Sequence, residues 1–190
     1  MKKRRIYFYT IFTIIFFICT LFAYVKLNAP VNYKKVATVA YKEPENTPKE
    51  EPIIWDGLTE EELATKLDKN LYHELAGTGK YFAAYTAKTG LDPYLAVSIV
   101  NLETGCKWKC SYLARVCHNI GGMKGRPHCG SGSYAKVDSL EEGIESYLNL
   151  LYKGYWSKGL TTAKKMNSKY AESSTWADKV NRYYETIKAS

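Results

Sequence analysis

Residues 93–104 read Pro-Tyr-Leu-Ala-Val-Ser-Ile-Val-Asn-Leu-Glu-Thr, and they constrain the fold of this chain more than any other stretch. Asp92 and Pro93 supply an N-cap and a first-turn proline, while Gly105 stops the helix that follows. Tyr94, Leu95, Ala96, Val97, Ile99, Val100 and Leu102 leave that helix without a polar face. Such a helix has to be wrapped by other elements on every side, so it belongs at the centre of a mainly α-helical body.

The flanking sequence supplies the wrapping. Thr59-Glu60-Glu61-Glu62 has the form of a capping box, and Leu63, Leu67, Leu71 and Leu75 recur every four residues up to Gly77. A second helix is expected over about 80–88, closed by Gly90. Another follows the Ser139-x-x-Glu142 cap and carries Ile144, Tyr147, Leu148 and Leu151. Residues 167–174 read as a loop, and 175–187 as a last helix with Trp176, Val180, Tyr183, Tyr184 and Ile187 facing inward. Residues 105–137 lose periodicity and read as loop or short hairpin. No internal repeat is visible. The body therefore runs from 57 to 190.

The first 56 residues are organised differently. Lys2-Lys3-Arg4-Arg5 precedes residues 6–25, which carry no charge. Twenty helical residues span about 30 Å, the thickness of a bilayer's hydrocarbon core. Four positive charges before the run and Lys26 after it predict an uncleaved signal anchor with residues 1–5 in the cytoplasm and the body outside. A cleaved signal peptide shares the charged start, but its apolar region is usually shorter and no small-x-small site follows directly. Residues 26–56, with Pro44, Pro48 and Pro52 among glutamates, read as an extended spacer.

The chain's net charge of +8 invites a nucleic-acid reading, but its distribution argues otherwise. Residues 1–56 hold nine positive and five negative charges, mostly explained by membrane topology. Residues 57–190 hold eighteen against fourteen, and the stretch 104–137 holds six cations with no Asp or Glu at all. Those six, Lys107, Lys109, Arg115, Lys124, Arg126 and Lys136, suit the rim of a cleft for an anionic polymer.

Glu103 closes the apolar helix. Burial, the partial negative charge of a helix C-terminus, and the lack of any preceding Lys or Arg on that helix each favour a protonated carboxyl. A carboxyl held protonated is what a glycosidase uses to donate to the leaving oxygen.

Three segments in order, Ser98-Ile-Val-Asn-Leu-Glu-Thr-Gly105, Asn119-Ile-Gly-Gly-Met-Lys-Gly125 and Lys169-Tyr170-Ala171, make the body resemble the glucosaminidase-type branch (glycoside hydrolase family 73) of the lysozyme-like superfamily. The resemblance covers about residues 58–188. It implies a lysozyme-like helical domain that cuts the β-1,4 glycan strand of peptidoglycan at an N-acetylglucosaminyl bond, with no cofactor and no metal. Position by position, Glu103 matches the general acid, and Asn119, Gly121, Gly122 and Lys124 match the substrate-binding cleft segment. Tyr170 matches the cleft tyrosine. Many members carry a second acid beyond the Lys-Gly motif, whereas the nearest one here is Asp138. Either the substrate's own N-acetyl group attacks, with Tyr170 holding it, or Asp138 positions a water.

Cys106, Cys110, Cys117 and Cys129 crowd the same stretch, apart from Cys19 in the apolar run. Outside the membrane an even set reads as two disulfides, with three pairings open. Zinc, using these thiols with His118 and His128, is the alternative, and with the positive charge it would suggest a nucleic-acid binder. Two further alternatives keep the lysozyme-like body: a lytic transglycosylase using Glu103, and a wall-binding module without catalysis. His73, His118 and His128 join no Ser or Cys nucleophile arrangement.

Overall fold

The computed structural model describes residues 51–190. The expected cytoplasmic tail, membrane anchor and most of the spacer lie outside these residues. Among the described residues no helix is long and apolar enough to cross a membrane.

Seven α-helices and two short 3₁₀ turns make up the described residues, which contain no named strand: α1 Glu60–Asp68, α2 Gly79–Thr89, α3 Pro93–Thr104, α4 Tyr112–Cys117, α5 Leu140–Gly154, α6 Ala163–Tyr170 and α7 Trp176–Ala189. The α3 helix is the hub, with ten of its twelve residues buried. Asp92 caps it by accepting from the Tyr94 and Leu95 amides at 2.9 and 3.1 Å. Its interior hydroxyls stay satisfied inside the helix, Ser98 donating to the Tyr94 carbonyl and Thr104 to that of Val100, both at 2.6 Å. α7 packs along α3, α6 against α7, α1 against α2, and α2 against α5. Leu63, Leu67, Phe82, Ile99, Val100, Ile144, Tyr147, Leu151 and Val180 form one contiguous core. Each such side chain contributes about 1.5–3 kcal/mol on burial, so the core sets the body's stability.

Several boundaries differ from the sequence reading. The capping box forms as expected, with Thr59 and Glu62 exchanging bonds at 2.9 and 3.3 Å. The α1 helix nevertheless ends at Asp68, and Leu71 and Leu75 reach the core from a turn and the 3₁₀ segment His73–Leu75. Beyond that end His73 takes a left-handed backbone with φ 53°, and the Asn70 carbonyl accepts from the Asn101 amide on α3 at 2.9 Å. The expected loop at 167–174 is helical up to Tyr170, because Thr162 caps α6 and Ala163 and Met166 bury against the core. The spacer's last residues belong to the body. Leu58 pairs with Ile54 and Trp55, the Trp55 ring stands edge-on to Tyr94 at 6.4 Å, and the Tyr94 hydroxyl donates to Asp56 at 3.1 Å.

Residues 105–137 form a lobe with one short helix, α4, and a hairpin-like pairing of Lys124 with Tyr134 and His128 with Ala135. The cysteines pair as Cys106–Cys110 and Cys117–Cys129. Cys106 and Cys110 lie near Glu74, but sulfurs bonded to each other offer no thiolate, so the zinc alternative loses its soft ligands. The lobe meets the body at Gly143 of α5, where a Cβ would collide with the His118 carbonyl. Only glycine allows that approach.

Candidate functional site

The sequence expectation of a buried Glu103 is not met: its side chain is exposed, while its neighbours Asn101 and Thr104 are buried. The last turn of α3 emerges from the core there, turning Glu103 outward. The carboxylate is held nonetheless. The Trp176 indole N–H, at the first residue of α7, donates to Glu103 Oε1 at 3.0 Å. A buried tryptophan needs an acceptor for its N–H, and Glu103 is the one it finds. One carboxylate oxygen is thus fixed and Oε2 is left for other partners.

Tyr170 stacks on that same indole, with ring centroids 4.6 Å apart and planes 23° apart. Tyr155 also packs against Tyr170, with ring centroids 5.3 Å apart and planes tilted by 49°. The Tyr170 hydroxyl is shut off from solvent and has no hydrogen-bond partner. Burial pushes its pKa far up, and the charge on Glu103 and the neighbouring Tyr155 push the same way. It therefore stays a phenol, with a free O–H to donate. Tyr147 lies beneath, wholly buried, its hydroxyl donating to the Ala96 carbonyl at 2.8 Å. Its pKa is likewise raised by burial, then by Tyr170 and Glu103.

Two asparagine side chains set the surrounding backbone. Asn167 on α6 donates to the Ser173 carbonyl at 2.8 Å and accepts from the Ala177 amide at 3.1 Å. That clamp joins the end of α6 to the start of α7 and so sets Tyr170 over Trp176. Asn119 is buried in the lobe, donating to the Met123 and Ala135 carbonyls at 2.7 and 2.9 Å and accepting from the Met123 amide at 2.9 Å. Its amide is used up within the protein, so it shapes the glycine segment and leaves ligand contact to others. Gly121 lies flat on the Tyr147 ring, where a Cβ would clash. Gly122 takes the left-handed conformation with φ 62°. Lys124 is exposed on the hairpin.

The structure thus gathers Glu103, Tyr170 and, through Tyr147, the segment of Gly121 around one aromatic centre. Asp138 is exposed beside Ser139, which caps α5, and it makes no hydrogen bond to Glu103 or Tyr170 among the described residues. The six cations of residues 104–137 are all exposed. Sequence reasoning placed Trp176 and Tyr147 in the core alone, and their part at the site went unseen. The available signal was chemical: an inward tryptophan carries an N–H that must be satisfied.

Compared with known proteins, the chain matches no family model and no curated relative.

Proposed function

We propose that this chain is a membrane-anchored peptidoglycan hydrolase that cuts β-1,4 glycosidic bonds of the glycan strand, of the endo-β-N-acetylglucosaminidase type. The observation that carries the proposal is the pairing of Glu103 with an unsatisfied phenol across one indole. Glu103 is the general acid. Its Oε1 is engaged by Trp176, so Oε2 is the oxygen free to deliver a proton to the leaving glycosidic oxygen. The Tyr170 O–H, enclosed in the free protein, donates to the carbonyl oxygen of the substrate's N-acetyl group once the bound strand displaces its cover. Held this way, that oxygen attacks the anomeric carbon as the C–O bond breaks, and water then opens the cyclic intermediate. No second carboxylate is required, in keeping with the absence of Asp and Glu from residues 104–137. Residues 6–25 anchor the chain and hold the body outside the cell.

Mass spectrometry of muropeptides, after digestion with wild type and Glu103→Gln side by side, tests the proposal. A reducing N-acetylglucosamine end from wild type, and about a hundredfold or more less of it from the variant, is the expected result. An anhydro end would instead identify a lytic transglycosylase working through the same acid. Unchanged wall clearing by Glu103→Gln would leave only a wall-binding module.

A further inference from the structure

Trp108 is the most exposed large apolar side chain among the described residues, with 80% of its surface open to solvent. It sits at the tip of a five-residue loop, Cys106-Lys107-Trp108-Lys109-Cys110, whose two cysteines are buried and bonded to each other. The loop is anchored to the end of α3. The Trp108 and Lys109 amides donate to the Gly105 carbonyl at 3.0 and 3.2 Å, and Ser111 donates to that of Thr104 at 2.8 Å. These bonds keep the tip against the helix terminus that bears Glu103, two residues before Gly105. Lys107 and Lys109 flank the indole and are both exposed. The Lys107 ammonium lies 5.8 Å from the Trp108 ring centre and 5.9 Å from that of Tyr183 on α7.

An exposed indole flanked by two exposed lysines is open to a partner that stacks on its face and carries negative charge. The disulfide and these three backbone bonds tie the loop's backbone down at both ends. The occupant should present a flat apolar face to the indole and carboxylates to the two lysines. A sugar ring offers such a face through its C–H bonds, and a peptide-bearing glycan adds the carboxylates. The lobe's six exposed cations, unopposed by any carboxylate of their own, complement the same polymer.

We infer that Trp108, with Lys107 and Lys109, is a substrate platform that stacks a sugar ring of the glycan strand beside Glu103 and reads the carboxylates of its peptide branches. The inference rests on the glycan-cleaving function proposed above, and it adds a binding element that the motif residues do not include. Trp108 and its lysines touch no reacting atom; they hold the strand.

Co-sedimentation of the full chain carrying Glu103→Gln with purified insoluble peptidoglycan, and separately with insoluble chitin, tests it. Trp108→Ala should weaken binding about five- to tenfold on both polymers, as loss of an anchoring tryptophan does at other interfaces. Trp108→Phe should restore most of it. Lys107→Gln/Lys109→Gln should weaken binding to peptidoglycan alone, and added salt should erase that difference. Because Trp108 is exposed, its variants should keep the parent's thermal midpoint. Wall binding unchanged by Trp108→Ala overturns the platform while leaving Glu103 its role. Cleavage by the Glu103→Gln chain at the wild-type rate removes the acid assignment while leaving the platform. Failure of the chain to bind either polymer overturns the platform, as does Trp108-dependent retention of a single-stranded oligonucleotide equal to that of peptidoglycan.

Discussion

The helical body and the lobe at 105–137 reach order by opposite routes, and Glu103 stands where they join. The body is organised around α3, whose ten buried residues draw the other helices in by apolar burial. The lobe puts few apolar side chains into the core: Ala114 and Ile120 are buried there, while Trp108, Tyr112, Val116 and Tyr134 are exposed. Its order comes from two disulfides, from the Asn119 amide and from short backbone pairings. The contrast teaches that an ordered lobe does not need a core of its own. Covalent and polar ties fix backbone shape and leave the side chains free to face outward.

Four substitutions would break or sharpen this contrast, taken from the largest effect down. Glu103→Gln touches neither source of order, so the thermal midpoint should hold while strand cleavage falls about 10²–10⁴-fold, read by muropeptide release. Ile99→Ala opens a void at the hub and should lower unfolding free energy by about 2–5 kcal/mol in urea titrations. The body and lobe should then unfold together. Cys117→Ser/Cys129→Ser should cost about 2–4 kcal/mol, and hydrogen exchange should show that loss in the lobe's amides while α3 keeps its protection. Equal loss of protection in both regions would mean that the lobe is part of the body's cooperative unit.

The smallest effect concerns pH. Burial raises the pKa of Asp92, against the lowering pull of the Leu95 amide, the Tyr184 hydroxyl and the Tyr94 amide. A carboxyl whose folded pKa is raised stabilises the fold most below its unfolded pKa. That contribution is lost as pH climbs through the raised folded value. Relative to Asp92→Asn, the wild type should therefore lose stability across the carboxylate range and level off above it, in urea melts at stepped pH. The lobe has no carboxylate to titrate, so its exchange rates, corrected for intrinsic pH dependence, should not follow that curve unless body and lobe are coupled.

Much of the body was legible from residue pattern. α3 begins and ends as the Asp92-Pro93 start and Gly105 stop imply, and the Ser139 and Thr59 caps both form. The early end of α1 was not legible, because the leucine spacing continues past Asp68. Past Asp68 the backbone carbonyl of Asn70 is instead taken by Asn101, a residue thirty-one positions away. Helix α6 was hidden for a related reason. Its run Ala-Lys-Lys-Met-Asn-Ser-Lys-Tyr is strongly polar, and only burial of Ala163 and Met166 pays for it.

The candidate site divides along the same line. The positions of Glu103, Tyr170 and the glycine segment could be named from motifs, but their surroundings could not. Glu103 looked buried because its helix is apolar; the structure turns it outward, since an exit from the core depends on where neighbouring helices end. Trp176, Tyr147 and the clamp of Asn167 have no sequence signal tying them to Glu103. Sequence alone determined a central apolar helix, its caps, a carboxylate at its end, and a lobe rich in cations and cysteines. Local propensity and periodicity suffice for those, because they depend on residues within a few positions. Which cysteines pair, which oxygen of Glu103 is held, and which phenol is left unsatisfied were decided only in the tertiary structure. Each depends on side chains separated in sequence and brought together by packing around α3.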